Sequence, residues 1–260
     1  MEQQFFRKEG EKVSDLTKTI KLRISVTPEQ IELFRQTTEQ YRRACNFVSQ
    51  YIFDNAFDLA YLSLNKALYA DIRSRFGLKS QMAQSSIKTT IAKYKAVKQQ
   101  LLQRPYRYKD KNGNWRSITK TLEWLWKPVF FGRPQVDLVR DRDYSFVDGG
   151  KTMSIATLGE RVKCSFFGEH FAAYLDGSYD LGTAKLVELN GLWYLHIPVT
   201  KEVKDLEKES VRHVVGIDRG LRFLTVSYDE KGKTEFTSGR KIATKRRKFQ
   251  EVRRQLQSKG

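Results

Sequence analysis

Residues 17–34 read TKTIKLRISVTPEQIELF, and they contain the pattern of a strand followed at once by a helix. The strand is indicated by a period of two in which polar residues alternate with Ile20, Leu22, Ile24 and Val26. Thr27-Pro28-Glu29-Gln30 then has a capping hydroxyl, a proline at the first helical position and a glutamine three residues after the cap. This capping box predicts that a helix begins at Pro28.

Three helices are predicted directly after the opening strand. The first is a long amphipathic helix whose seam residues recur at alternating spacings of three and four, namely Ile31, Phe34, Thr38, Tyr41, Cys45, Val48 and Ile52. Two further helices are predicted over residues 57–76 and 79–103, and the second must end before Pro105. A helical segment therefore follows the opening strand.

After Pro105 the sequence predicts loops and short strands. Strand patterns cover 152–156, 162–167 and 183–189, and Asn190-Gly191 predicts a type I′ turn into a return strand. The charged segment 199–210 is interpreted as a linker. Residues 126–134, WKPVFFGRP, mix aromatic with basic residues, which is typical either of stacking on bases and riboses or of a hinge in the core.

The charge of the 260-residue chain is strongly positive, with 48 Lys and Arg against 30 Asp and Glu and a formal net charge of +18. Neutralised phosphates release counterions, so this balance favours a polyanionic partner, above all nucleic acid. The alternative is that the excess merely keeps the surface solvated. The charge is concentrated in residues 240–260, which hold nine basic residues and one acid.

Several classes of protein are disfavoured by composition. The chain has no apolar run long enough to cross a membrane and no secretory signal at its start, so we expect a cytoplasmic protein with no membrane partner. Cys45 and Cys164 belong to no CxxC pattern, which predicts neither a disulfide framework nor a zinc site. None of His170, His196 and His213 lies in a catalytic pattern.

The pattern most typical of a catalytic site lies in residues 211–239, VRHVVGIDRGLRFLTVSYDEKGKTEFTSG. Asp218 ends an apolar strand between Gly216 and Gly220, and two further strands follow. A carboxylate at a strand end beside glycines can bring a metal ion to a nucleic-acid backbone. The same pattern is found in the phosphate-binding lobe of actin-like kinases and ATPases, and an aspartate that only caps a turn would also fit.

The order of these motifs resembles the TnpB family of transposon-encoded RNA-guided nucleases and the related compact type V CRISPR effectors. The matching segments are, in order, TIKLRISVTPEQIELF, YRRACNFV, SQMAQSSIKTTIAKYKAVKQ, GLWYLHIPV, VVGIDRGLRFLTVSYDEKGK and a final basic helix. They span nearly the whole chain. Arg219 departs from the apolar residue that is more usual in the family at that position.

The resemblance implies an α+β fold made of an OB-like β-barrel, the wedge, with an inserted helical recognition domain, then an incomplete RNase H-like (RuvC) segment with a basic helix. It implies the first wedge strand in residues 1–26, the recognition domain in 27–110, the rest of the wedge in 111–205 and the start of the nuclease in 206–260. Asp218 would be the first catalytic acid and a ligand of Mg²⁺. Guide RNA and target DNA would be partners, and the helix over 242–257 would bind nucleic acid through Lys245, Arg246, Arg247, Lys248, Arg253 and Arg254.

In the family, a second acid, a third acid and a four-cysteine zinc element follow the basic helix, whereas this sequence stops at Gly260. We therefore expect that the chain cannot cleave alone, that Mg²⁺ binds only to a completed site, and that an apolar face stays exposed unless a C-terminal nuclease polypeptide covers it. Two alternatives stay open. One is a shortened, nuclease-inactive regulator that binds RNA or DNA, and the more remote one is an actin-like kinase or ATPase.

Overall fold

The computed structural model describes residues 13–167, 171–205, 211–220 and 222–258. It is a mixed α+β structure with antiparallel sheets and, among the described residues, five α-helices. Residues 15–203 form the larger of two compact units. The smaller unit takes in the described residues from Lys204 onward, together with Val13 and Ser14.

The larger unit contains ten strands and four helices in its described part. The strands are β1 (Val13–Ile24), β2 (Tyr106–Lys109), β3 (Trp115–Ile118), β4 (Gln135–Leu138), β5 (Tyr144–Val147), β6 (Thr152–Ala156), β7 (Arg161–Phe167), β8 (Asp180–Leu181), β9 (Ala184–Leu189) and β10 (Leu192–Lys204). The helices are α1 (Pro28–Asp54), α2 (Tyr61–Phe76), α3 (Ser80–Gln103) and the single turn α4 (Ala172–Leu175).

The main sheet has the strand order β4-β9-β10-β1-β7-β6-β5, and β8 pairs with β10. An isolated bridge joins Arg140 to Tyr144, but in the described part of the chain no ladder connects the end strands β4 and β5. The sheet is therefore open in its described residues, and the predicted closed barrel is not confirmed.

The predicted strand and helix start at the beginning of the chain are confirmed. Ile20, Leu22 and Ile24 are buried on one face of β1. At the start of α1, the Thr27 hydroxyl accepts a hydrogen bond from the Gln30 backbone N–H, and the Gln30 side-chain oxygen accepts one from the Thr27 N–H. The Gln30 amide also donates to the Lys163 carbonyl of β7 at 3.1 Å, so the cap ties α1 to the sheet.

The predicted seam of α1 forms its contact with the core. Every member is buried except Ile31, which is partly exposed. Phe34 meets the buried Trp193 of β10 edge to face, with ring centroids 5.2 Å apart. The core of this unit therefore lies where α1 packs against the main sheet, and aromatic pairs of this geometry stabilise such contacts beyond the area that they bury.

The predicted start of the second helix is wrong by four residues, since α2 begins at Tyr61 and not at Phe57. Ala56 and Phe57 have φ angles of 52° and 57°, in the left-handed region that a right-handed helix excludes. The third helix is confirmed, with α3 running from Ser80 to Gln103.

The hairpin predicted at Asn190-Gly191 is confirmed, because both residues have positive φ and β9 pairs with β10 on either side of them. The linker predicted over 199–210 is wrong as far as Lys204, where β10 ends. Val199 and Thr200 pair with β8, and Gly182 donates a hydrogen bond to the Pro198 carbonyl. These partners keep the charged segment extended, and residues 206–210 lie outside the described part.

The smaller unit contains the three strands predicted within 211–239. They are β11 (Val215–Asp218), β12 (Phe223–Asp229) and β13 (Thr234–Ser238), paired antiparallel in that order, and α5 (Arg240–Gln257) follows. Leu221, where the second strand was predicted to start, lies outside the described residues. In the described part of the chain, no helix is both long and apolar enough to cross a membrane.

We predict that Thr27→Ala lowers the free energy of unfolding of the larger unit by about 1 kcal/mol, because it removes the oxygen that caps α1. Urea unfolding followed by circular dichroism would measure the loss. Thr27→Ser is the matched control and should keep most of the stability, since it keeps the hydroxyl. Equal stability of the alanine and serine variants would contradict the role assigned to the cap.

Candidate nucleic-acid interface

The helix α5 follows directly from the three-stranded sheet. Gly239 precedes it, and the Gly239 carbonyl accepts the first helical hydrogen bond from Ala243 at 2.9 Å. Gly239 also donates to the Arg222 carbonyl at the start of the sheet. The helix predicted over 242–257 is confirmed, although it begins two residues earlier, at Arg240.

The basic side chains of α5 are exposed along its whole length. Its eighteen residues include eight Lys and Arg and one acid, Glu251. The six residues predicted to bind nucleic acid, Lys245, Arg246, Arg247, Lys248, Arg253 and Arg254, are all exposed, and within the described residues none forms a salt bridge. Their positive charge is therefore not neutralised by acidic side chains.

The spacing of four arginines places them in two rows on α5. Arg246 and Arg253 are separated by seven residues, as are Arg247 and Arg254. Two helical turns bring such residues back to nearly the same direction, roughly 10 Å apart along the axis. Each row therefore offers two guanidinium groups that could contact successive phosphates of one strand.

An apolar stripe lies on the same helix. It consists of Ile242, Phe249, Val252 and Leu256, whose exposed fractions are 54%, 74%, 51% and 68%. No part of the described chain covers this stripe. Ile217 of β11 and Phe236 of β13, which lie on opposite faces of the sheet, are also exposed.

Asp218 lies at the end of β11, where the sequence placed it. It pairs with Val226 of β12, is exposed, and its Oδ1 accepts a hydrogen bond from the Arg219 N–H at 2.9 Å. A Cβ at Gly220 would lie 3.2 Å from the Phe223 carbonyl oxygen, so this turn favours glycine. At Gly216 a Cβ would make only ordinary contact, and the close approach predicted there stays a prediction.

The neighbouring acids are used in structural hydrogen bonds. Asp229 accepts from the backbone N–H groups of Lys231 and Lys233 in the turn after β12. Glu230 accepts from the Val214 N–H at 2.7 Å and contacts His213. Among the described residues, no group of three His, Cys, Asp or Glu is placed to hold a metal ion. The carboxylate of Asp218 alone therefore does not fit a Mg²⁺ site of the two-metal kind.

The sequence predicts that none of the three histidines is catalytic. His196 lies in β10, where burial and the charge of Lys21 lower its pKa. His213 is exposed beside Glu230. His170 lies outside the described residues. The prediction that none of them is catalytic stays a prediction.

A groove beside α3, which sequence reasoning missed, is the second basic region. Two adjoining cavities of about 570 and 460 Å³ share Lys88, Thr89 and Asp137 in their walls. Their other polar lining includes Gln81, Gln84, Lys93, Arg133, Arg142 and Lys185. We call this the α3 groove. Its amides could hydrogen-bond base edges and its cations could contact phosphate.

Asp137 organises the floor of the α3 groove. It is 8% exposed, and its carboxylate accepts hydrogen bonds from Lys185 Nζ at 2.7 Å and from the Thr89 hydroxyl. The Tyr41 hydroxyl of α1 lies 3.5 Å from the same carboxylate, and burial raises the pKa of Tyr41. This network joins β4, β9, α3 and α1. The basic residues of α3 are the only signal of this groove that the sequence offers.

The segment 126–134 has features of both interpretations that the sequence left open, a stacking surface and a hinge in the core. Trp126 and Phe130 are 82% and 71% exposed, as a stacking surface requires. Phe131 packs against the core, and its backbone is held by Asn46, which donates to its carbonyl and accepts from its N–H. Trp126 and Phe130 therefore face solvent, whereas Phe131 faces the core.

Comparison with known proteins gives matches among solved structures alone. No family model and no curated protein matches the sequence. A chain of the CRISPR–Cas12f ternary complex is similar with a TM-score of 0.45 and 10% identity, over 90% of this chain and 53% of that one. A chain of the Cas12f1–sgRNA–target DNA complex has a TM-score of 0.32 and 15% identity, over 93% and 62%. This chain thus spans about half to three fifths of their lengths.

We predict that Asp137→Ala lowers the free energy of unfolding by about 1–3 kcal/mol, because it leaves the partly buried groups around Lys185 and Thr89 without their acceptor. Chemical unfolding would measure it. Asp180→Ala, which removes an exposed carboxylate in β8, is the matched control and should change stability by less than about 0.5 kcal/mol. Equal losses in both variants would contradict the role given to Asp137.

Proposed function

We propose that this chain binds nucleic acid as the N-terminal portion of a TnpB-like RNA-guided DNA endonuclease, with guide RNA and target DNA as its partners. The observation that carries the proposal is α5, on which eight exposed basic residues stand against one acid. A surface of this density of unpaired positive charge attracts a polyanion and gains affinity by releasing its counterions.

The α3 groove supports the same function in the larger unit. It combines amide side chains with Lys88, Lys93 and Arg133 in one concave surface. Cations position a phosphate backbone, whereas amides distinguish base edges. A groove that holds both kinds of group suits a nucleic acid better than a small neutral ligand.

In this proposal the guide RNA and the protein have separate roles, as the TnpB resemblance implies. A guide RNA would read the target by base pairing, while the protein would read a short flanking motif and the shape of the heteroduplex. The main sheet would serve as the OB-like wedge, α1 to α3 as the recognition domain, and β11 to β13 as the beginning of a RuvC-like nuclease.

Asp218 is the proposed first acid of the nuclease. Cleavage by two metal ions needs several carboxylates around ions that lie about 3.5–4 Å apart. Among the described residues no group of three His, Cys, Asp or Glu is placed to hold a metal ion, so no catalytic step is assigned to this chain. A C-terminal nuclease polypeptide would have to supply the other acids, and its contact with the smaller unit would cover the apolar stripe of α5.

A nuclease-inactive regulator that binds RNA or DNA is the second candidate. The engagement of Asp229 and Glu230 in structural hydrogen bonds favours it, since these are the acids that follow Asp218 most closely in sequence. Both candidates bind nucleic acid through the same surfaces. They differ in whether cleavage appears once further carboxylates are supplied.

We predict that replacing Arg246, Arg247, Arg253 and Arg254 together with glutamine weakens RNA binding and reduces the salt dependence of the affinity. The slope of log K against log salt should fall by about one for each arginine that contacts a phosphate. Filter binding of a labelled RNA between about 50 and 200 mM salt would measure both quantities.

The matched control removes the same charge elsewhere, with glutamine at the exposed Lys18, Lys66, Lys151 and Lys163 of the larger unit. We expect the control to keep most of the affinity and slope. If both quadruple variants lose affinity equally, net charge and not α5 would account for binding.

We predict that the 260-residue chain binds DNA or RNA in Mg²⁺ without cleaving it, and that Asp218→Asn leaves the affinity unchanged, because the amide oxygen can still accept from the Arg219 N–H. Gel analysis of labelled substrates would test this. Mg²⁺-dependent cleavage that disappears in Asp218→Asn would show instead that the chain forms a complete active site.

A further inference from the structure

The hairpin of β2 and β3 has two distinct faces. Its register pairs Tyr106 with Ile118 and Tyr108 with Arg116. Opposed residues of an antiparallel pair lie on the same side, and residues two apart along a strand share a face. We call the face made by Tyr106, Tyr108, Arg116 and Ile118 the tyrosine face. The opposite face is made by Arg107, Lys109, Trp115 and Ser117.

An aromatic cluster lies on the tyrosine face. The rings of Tyr106 and Tyr108 are nearly parallel, at 19°, with centroids 6.1 Å apart, and Trp124 lies 5.9 Å from Tyr106. These three side chains are 48%, 38% and 45% exposed, whereas the core residue Trp193 is 1% exposed. Each of these side chains therefore presents part of its surface to solvent, where a ligand can reach it.

The spacing of the two tyrosines suits stacked bases. Stacked nucleotides rise about 3.4 Å per step, so two steps take about 6.8 Å. The Tyr106 and Tyr108 centroids are 6.1 Å apart, which is close to two such steps. A single base between the rings, or one on each outer face, would continue the stack.

The charge around the cluster is complementary to phosphate. Residues 104–133 contain eight Lys and Arg and two acids. One acid, Asp110, is used within the hairpin loop, where it accepts from the Asn112 and Asn114 N–H groups and from Arg116 Nε at 3.0 Å. These hydrogen bonds lower the pKa of Asp110, and the one from the Asn114 N–H has the largest effect.

The same contact fixes Arg116 on the tyrosine face. Its guanidinium is held by Asp110, yet its side chain remains 62% exposed. Lys120 lies over the ring of Trp124, with its Nζ 5.7 Å from the centroid. The open rings are thus flanked by two cations that a passing phosphate backbone could reach.

We propose that the tyrosine face, together with Trp124, is a stacking platform for unpaired bases of single-stranded nucleic acid, with Arg116 and Lys120 contacting its phosphates. The inference rests on the proposed nucleic-acid binding and adds to it a second site with a different chemistry. In a duplex the base faces are covered by their neighbours, and only their edges are accessible in the grooves. Exposed aromatic rings therefore select unpaired bases, largely without regard to sequence.

The test uses the full chain and labelled single-stranded probes of twelve thymidines or twelve uridines. Tyr106→Ala with Tyr108→Ala should weaken binding by about tenfold or more, because each lost base–ring stack contributes substantially to affinity. The salt slope should stay unchanged, since no cation is removed. Tyr106→Phe with Tyr108→Phe should keep the affinity, because it keeps the rings.

Two matched controls locate the effect. Trp115→Ala removes an exposed aromatic ring from the opposite face, and Leu62→Ala removes an apolar side chain that is 81% exposed on α2. Both should bind the probes as the unchanged chain does. All variants should keep the same far-ultraviolet circular dichroism, since none of the substituted side chains is buried.

Several results would overturn the inference. Unchanged binding by the alanine pair, while the glutamine variant of α5 still loses affinity and slope, would refute the platform and leave the proposed function standing. Equal loss in Trp115→Ala, or loss in the phenylalanine pair, would refute the assignment to the tyrosine rings. A dimer seen by sedimentation that the alanine pair dissolves would assign the face to self-association. No nucleic-acid binding by the unchanged chain would refute both proposals.

Discussion

The larger unit depends on β1, which lies between two neighbouring strands and buries one of its faces in the core. β1 lies between β10 and β7 in the main sheet, and its residues Ile20, Leu22 and Ile24 are 4%, 0% and 3% exposed. Each such side chain contributes roughly 1.5–3 kcal/mol when it leaves water. Because the chain passes from β1 through the Thr27 cap directly into α1, the position of this strand determines where the first helix packs.

The functional surfaces follow from that packing. α1 contributes Tyr41 to the network around Asp137, and this network joins α3 to β4 and β9 at the floor of the α3 groove. Basic residues then remain on the outside, along the α3 groove, on the hairpin of β2 and β3, and on α5 in the smaller unit. With a net charge of +18, the basic side chains of the free protein repel one another. A polyanion that neutralises these surfaces would therefore be bound favourably.

Sequence reasoning succeeded where the structure is decided locally. The strand period of β1, the capping box at Thr27, the seam of α1 and the Asn190-Gly191 turn each depend on residues close together in the chain, and each is confirmed. It failed where distant partners decide. β10 continues to Lys204 because β8 pairs with it. The late start of α2 is a local feature that the helical pattern did not indicate, since Ala56 and Phe57 adopt left-handed conformations. Asp137 and Lys185 meet only through the pairing of β4 with β9.

The candidate sites show the same division. Asp218 and the basic helix were located in the sequence, because a strand end and a charge cluster are visible there. The tyrosine face was not, since it depends on the register of β2 with β3. The most direct test of the account is to purify the chain at low salt and analyse what is bound to it. We expect bound RNA that high salt releases, whereas protein that is free of nucleic acid and does not bind added RNA at low salt would contradict nucleic-acid binding by this chain.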